Sequence, residues 1–523
     1  MDFFLIFALF YQKILTPMTE NLTQRKEGGR FLNFIERVGN ALPHPASLFA
    51  IFALTILILS WIGYLFHWSA VHPATGETIE VVNLMSKEGL HRILLEMVNN
   101  YIGFAPLGIV MVALLGIGIA ESSGLIGTAI RLTVIKAPKS MITFIIVLVS
   151  ILSNIASDIG YVLIIPIAGI IFHSLGRHPI AGIAASFAGV SGGFSANFLI
   201  GTIDPLLAGL STEAAHILDP AYTVLPTANY YFMAVSTFLI AGCATWVTHR
   251  FVEPRLGKYE GNLEPEKLEM LTAKEKKGLW WSLIVFLIWM IIFMIGLIPD
   301  HGFLRGGDNS ILHSPVLKGF IAVLFLVIGT MGIVYGAITG KFKSDADVVS
   351  GMVSSLKSIV PFLVLVFFAA QFVAWFKWSN LGLILAVKGA LLLQAINLGL
   401  IPLVILFIIF SGFINLFMGS ASAKWAILAP VFIPMFMLLG YSPELSQAVY
   451  RIGDSVTNII SPMMSFFPLM IVYFEKYNKK AGIGTLVSTM LPYTIVFFIA
   501  WTILMIIWIL LKLPLGPGAG IYY

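Results

Sequence analysis

The sequence predicts an all-α polytopic membrane protein: nine transmembrane helices plus two opposed re-entrant helical hairpins, set in an inverted-topology repeat. Three observations predict it. The chain of 523 residues is 58% hydrophobic and only 11% charged, whereas soluble domains carry about 25% charged residues. Its apolar stretches repeatedly reach the roughly 20 residues that cross a bilayer core as a helix. Two further apolar stretches, 141–172 and 400–439, each lie between flanks that the charge pattern puts on one side of the membrane.

The spans lie near 46–66, 103–121, 180–204, 229–248, 280–298, 316–338, 359–376, 444–472 and 485–511. Lysine and arginine concentrate on the cytoplasmic side of membrane proteins, which orients the spans. Arg25, Lys26, Arg30 and Arg37 precede the first span and place the N-terminus in the cytoplasm. The acid-rich loop 67–98 (Glu77, Glu80, Glu88, Glu96) suits the outside. Arg131, Lys136 and Lys139 face inward again, as do the mixed-charge loop 249–278, Lys341, Lys343 and Lys357, and later Lys476, Lys479 and Lys480. Nine crossings leave the C-terminus periplasmic, in a multi-pass bacterial inner-membrane protein.

The net charge of +5 sits in these short loops, so it reads as a topology signal rather than a nucleic-acid surface. The single cysteine, Cys243, excludes an intrachain disulfide and a cysteine metal site, and reads as a small lipid- or core-facing residue. The apolar residues 2–15 are too short to span. They are read either as an interfacial helix or as a segment preceding a true start at Met18.

These elements divide the chain into an N-terminal cytoplasmic or interfacial segment (1–45), a first scaffold helix with its periplasmic loop (46–102), a first transport repeat (103–228), scaffold helices (229–358), a second transport repeat (359–484) and a C-terminal helix (485–523). Each repeat runs span, short helix (124–135 or 380–394), hairpin, span. Pro106 corresponds to Pro361, and Ser123-Gly124-Leu125 to Ser379-Asn380-Leu381. One repeat enters its unit from outside and the other from inside. This inversion is typical of secondary transporters, whose sites lie at mid-membrane where helices break.

Polar runs fall at equivalent places in the two repeats. The first hairpin holds Ser153-Asn154 and Ser157-Asp158-Ile159-Gly160, and the following span is interrupted by Ser191 to Asn197 and by Gly201-Thr202-Ile203-Asp204-Pro205. The second hairpin holds Gly419-Ser420-Ala421-Ser422-Ala423-Lys424-Trp425, followed by Arg451-Ile452-Gly453-Asp454-Ser455-Val456-Thr457-Asn458 and Ser461-Pro462. A charge at mid-bilayer costs about 3 kcal/mol or more. Non-helical backbone survives there only inside protein or beside a water-filled cavity. Carbonyls, amide oxygens and one carboxylate suit a dehydrated hard cation such as sodium, and half-helix N-termini attract anions.

Plainer readings stand beside these. Arg451 and Asp454, three apart on one helix, can neutralise each other. Trp425 fits an interfacial tryptophan, and Lys424 is expected to snorkel to the outer surface. Asn154 and Asn197 suit interhelical hydrogen bonding, and the small residues suit close packing. An intramembrane protease or zinc enzyme is disfavoured, because the sequence holds no His-Glu-x-x-His pattern.

From about Gly29 to Pro517 the chain resembles the AbgT family of p-aminobenzoyl-glutamate transporters. The resemblance is carried by Gly39 to Pro45, Ser153-Asn154 with Gly160-Tyr161, Gly201 to Gly209, Gly419 to Ala426 and Tyr450 to Asn458. It implies a bowl-shaped homodimer transporting p-aminobenzoyl-glutamate, an anionic folate breakdown product, on a sodium or proton gradient. Export of sulfonamide antimetabolites is the alternative that it leaves open. The family's functional positions carry over onto Asp204, Ser422, Trp425, Pro443, Arg451, Asp454 and Pro462. On that substrate, Arg451 is expected to clamp a carboxylate, Trp425 to stack on the aryl ring, and Ser422 and Asn458 to hydrogen-bond the amide. Asn154, Asn197, Asp204 and Asp454 are expected to hold the cation and couple it. No cofactor beyond that cation is expected.

Overall fold

The computed structural model describes Pro43 and residues 45–523, apart from 72–75, 136, 156–159, 262–269, 312–313, 358 and 396–397. The segment 2–15, Met18, the basic residues before the first span and Ser157-Asp158 lie outside the described residues.

The chain opens with α1 (Pro45–Leu65), followed by a two-stranded antiparallel ribbon of β1 (Ser69–Val71) and β2 (Thr78–Glu80), paired Ser69 to Glu80. The region 67–98 is therefore more than the loop expected from its charges. It also contains most of α2 (Lys87–Ile102), which starts where the Ser86 hydroxyl accepts from the Gly89 N–H. Glutamates and lysines interrupt the apolar residues of α2, and this masks the helix in a hydropathy reading.

The first repeat follows as α3 (Ala105–Ser123), α4 (Leu125–Ile135) and a hairpin whose arms are α5 (Ile142–Leu152) and α6 (Ile165–Ser174). The next span is two half-helices, α7 (Pro179–Phe187) and α8 (Ile203–Ala215), with the chain broken between them. The interruption is where the polar run predicts it, but the span read as ending at Asp204 continues to Ala215. Pro205 sits inside the first turn of α8, where its missing N–H has no helical partner to lose.

Between the repeats run α9 (Tyr230–Val247), α10 (Ala273–Leu297), α11 (Phe320–Thr339) and α12 (Asp345–Lys357). α10 begins seven residues before the expected position 280, because Thr272 and Glu275 cap its first turn reciprocally. α12 packs on α3 and was not expected.

The second repeat comprises α13 (Val360–Trp378), α14 (Leu381–Ala395), the hairpin arms α15 (Leu400–Asn415) and α16 (Ala421–Leu438), and the half-helices α17 (Pro443–Asn458) and α18 (Phe467–Tyr477). α19 (Ile483–Leu510) closes the bundle. Pro179 and Pro443 start α7 and α17 at a position whose N–H is unpaired in any helix. Among the described residues, eight helical segments are long and apolar enough to cross a membrane: seven fall at the uninterrupted expected spans, with α2 and α3 counted as one segment, and the eighth is α16, an arm of the second hairpin. The two interrupted spans appear as shorter pieces.

The two segments read as repeats share three contacts at matching positions. Asn154 Nδ2 donates to the Val190 carbonyl at 3.0 Å, and Asn415 Nδ2 donates to the Asp454 carbonyl at 2.7 Å. Ser150 bonds back to the Ile146 carbonyl and Ser411 to that of Phe407, each at 2.7 Å. A side chain at Gly189 would strike Ser150 and the Val147 carbonyl, and one at Gly453 would strike Ser411 and the Ile408 carbonyl. Glycine is what lets each half-helix approach its hairpin this closely.

Candidate functional site

Both hairpin tips and both helix breaks meet at one cavity of about 310 Å³. Asn154 and Tyr161 come from the first hairpin, and Phe194 and Thr202 from the first break. The second hairpin contributes Gly419, Ala421 and Ser422, and the second break adds Asn458, Ser465 and Phe466. Val110 and Leu114 of α3, with Ile359 and Phe362 near the start of α13, complete the wall.

Among the described residues, the wall carries no charged side chain. Its polar character comes from hydroxyls, amides and the N-terminus of α16. There the Ser420 hydroxyl accepts from the Ala423 N–H, while the dipole of α16 leaves its first turn favourable to an anion. Its apolar character comes from aromatic rings, of which Tyr161 and Phe466 stack with centroids 4.2 Å apart and planes 9° from parallel.

The charged candidates lie behind the wall. Arg451 Nη2 is 2.7 Å from Asp204 Oδ1, with both side chains buried. The contact is at ion-pair distance but off the line of a hydrogen bond, so these two atoms and Arg451 Nε have no hydrogen-bond partner among the described residues. Asp204 Oδ2 accepts from the Gly201 N–H at 2.7 Å and folds the break back onto the start of α8. Asp454 Oδ1 is 2.5 Å from Lys424 Nζ, which also donates to Asn415 Oδ1. Arg451 and Asp454 thus each take a partner from another helix rather than each other.

Lys424 is 0% exposed. The expected snorkelling to the outer surface does not occur, because Asp454 and Asn415 supply the buried ammonium with oxygens that lipid could not. Trp425 is also fully buried. Its ring stacks on Tyr450 at 4.5 Å and its N–H donates to Ser211 Oγ, so it is not at an interface. Ser211 continues through Gln447 to Asn229 in buried hydrogen bonds of 2.7 and 2.8 Å.

Of the predicted residues, Ser422, Asn458 and Asn154 line the cavity, and Asp204, Trp425, Arg451 and Asp454 form the layer behind it. Asn197 Nδ2 donates to the Ile151 carbonyl and its Oδ1 accepts from the Leu199 N–H, shaping the first break. Pro443 begins α17, and Pro462 sits in the second break. The sequence reading missed Asn415, Tyr161 and Phe466. Aligning Ser150 with Ser411 in the two first hairpin arms pairs Asn415 with Asn154 and would have found it. The two aromatics give no such signal in a chain with 40 phenylalanines and 16 tyrosines.

Asn154 Oδ1 is buried with no hydrogen-bond partner among the described residues. Its amide nitrogen is held by the Ile151 and Val190 carbonyls, which fixes the oxygen beside the cavity. No group of three or more His, Cys, Asp or Glu side chains that could hold a metal occurs among the described residues.

Residues 30–523 match the family described as "AbgT putative transporter family". The chain belongs to this family. It is 36% identical to the p-aminobenzoyl-glutamate transport protein of Escherichia coli (strain K12), over 95% of this chain and 98% of that protein. Its structure is similar to the Neisseria gonorrhoeae protein MtrF, described among a class of antimetabolite efflux pumps, with TM-score 0.89 and 50% identity over 94% of this chain and all of that one. It is also similar to the Alcanivorax borkumensis YdaH transporter, described as having an unusual topology, with TM-score 0.87 and 44% identity over 91% of this chain and all of that one. The chain is a multi-pass membrane transporter and not an enzyme.

Proposed function

We propose that the chain is a secondary active transporter moving p-aminobenzoyl-glutamate across the bacterial inner membrane. A sodium or proton gradient drives it, by elevator or rocking motion of the two hairpin-bearing repeats against the remaining helices. The observation that carries this reading is the single cavity walled by both hairpin tips and both breaks. Its volume lies at the lower end of the ~300–1,000 Å³ range of small-molecule sites. Opposed broken helices around such a cavity are how inverted-repeat transporters place substrate and ion together.

The substrate offers an aryl ring, an amide and two carboxylates. Tyr161, Phe194, Phe362 and Phe466 form the face for the ring. Ser422 and the first turn of α16 meet a carboxylate, and Asn458 meets the amide. Arg451 neutralises Asp204 and holds the α8 N-terminus in place, and Trp425 braces α16 against Tyr450. Asn154 Oδ1 is the fixed oxygen for a coupling cation. The functional unit is a homodimer with its N-terminus cytoplasmic and its C-terminus periplasmic.

The similarity to MtrF favours a second reading, in which the same cavity exports sulfonamide antimetabolites and p-aminobenzoate-like compounds. Uptake of labelled p-aminobenzoyl-glutamate into proteoliposomes, under separately imposed sodium and proton gradients, tests the first reading. Saturable uptake driven by one gradient is expected, and equal flux with and without gradients would contradict it. Counterflow with a sulfonamide in oriented vesicles separates the two.

A further inference from the structure

The two repeats close the same junction in different ways. In the first, the hairpin asparagine Asn154 binds the Val190 carbonyl, and Gly160 sits so close to the Val190 side chain that a Cβ on it would be 2.8 Å from a Val190 methyl. In the second, Asn415 binds the Asp454 carbonyl, and Lys424 meets the Asp454 side chain. Among the described residues, one junction is uncharged and the other holds a fully buried ion pair. The fold itself therefore does not need the charges, and apolar packing commonly matches or exceeds a buried pair in stability.

The surroundings of the Lys424 ammonium are those of an alkali cation. It contacts the Asp454 carboxylate and the Asn415 amide oxygen. The Tyr450 hydroxyl is 3.4 Å from the same carboxylate oxygen. Asn415 Nδ2 in turn donates to Thr457 Oγ1 and Asn458 Oδ1 at 2.9 and 2.8 Å, and this fixes its own oxygen on Lys424. Asn458 reaches the cavity wall.

We propose that Lys424 is a tethered cation: its ammonium permanently fills the cation site of the second repeat, so that a free coupling cation is admitted only on the first. The inference rests on the coupled-transport reading for its functional meaning. Its test needs neither substrate nor transport, so failure of one leaves the other standing.

The experiment is thermal unfolding of the full-length chain in detergent, in sodium chloride and in choline chloride at matched ionic strength and fixed pH. Lys424→Ala vacates the site and leaves the Asp454 carboxylate. The variant is expected to purify folded in sodium, to lose stability on exchange into choline, and to regain it with one-site sodium dependence. Lys424→Ala/Asp454→Asn is expected to lose that added sodium response and return to that of the parent. Two outcomes overturn the proposal. One is a Lys424→Ala melting temperature with the same cation dependence as the parent. The other is failure of Lys424→Ala to fold in sodium, since the vacated site would then not accept a free cation.

Discussion

The first and second repeats share a backbone plan but differ in where they carry charge. The first leaves a neutral amide oxygen, Asn154 Oδ1, without a partner among the described residues at the cavity. In the second, the corresponding Asn415 oxygen is taken by Lys424, and the adjoining Asp454 carboxylate is taken by the same ammonium. On the proposed reading, the first half accepts an incoming ion and the second is internally neutralised. Arg451 and Asp204 tie the halves together, since α17 supplies the cation and α8 the anion.

The largest expected effect comes from breaking that asymmetry. Lys424→Met strands the buried Asp454 carboxylate and should cost about 3–5 kcal/mol of stability in choline buffer. Lys424→Met/Asp454→Asn should recover most of the loss, and thermal unfolding of the two variants checks this. If the double variant melts as low as the single one, shape rather than charge holds the second junction.

A smaller effect is expected at the cavity wall. Ser422→Ala removes the hydroxyl proposed to meet a substrate carboxylate, a bond worth about 1.5–3 kcal/mol. Affinity for p-aminobenzoyl-glutamate should fall about 10- to 100-fold, as read by equilibrium binding. Phe466→Ala removes half of the stacked pair and should weaken binding about 2- to 10-fold, from an aromatic contribution of about 0.5–1.5 kcal/mol. A larger loss at Phe466 than at Ser422 would shift the weight of recognition to the aryl ring.

An effect confined to one helix end lies at the first residue pair of the half-helices. Ser442 caps α17 with a hydroxyl, but α7 is capped by His178, whose Nδ1 accepts from the Ile180 N–H. Burial lowers the His178 pKa below its usual 6.5, and protonation removes the acceptor. The cap's stabilisation, about 0.5–2 kcal/mol for a good side-chain cap, is therefore full above pH 6.5. It is lost as the pH falls from there through the lowered value. His178→Ser should flatten the melting curve over that window.

Much of this fold was legible because hydropathy and loop charge act over whole segments. The hairpins and breaks were legible because serine, asparagine, glycine and aspartate are costly at those depths. α2 escaped because charges interrupt its apolar residues, and α12 because serines, a glycine and terminal charges do, so neither gives a continuous run. The partners of Arg451, Asp454, Lys424 and Trp425 escaped for another reason. The distance along the chain from Asp204 to Arg451, or from Ser211 to Trp425, carries no pairing signal. Only folding decides whether Arg451 meets its neighbour on the same helix or a carboxylate from the other repeat.

The claim that the cavity between the repeats is the substrate site is tested most directly by thiol protection. In a Cys243→Ala background the chain has no other cysteine, so Ser422→Cys places a single thiol on the cavity wall. Alkylation of that thiol should be slowed by p-aminobenzoyl-glutamate, saturably and at the concentration that half-saturates uptake. Alkylation that is indifferent to substrate, in protein that still transports it, would contradict the account.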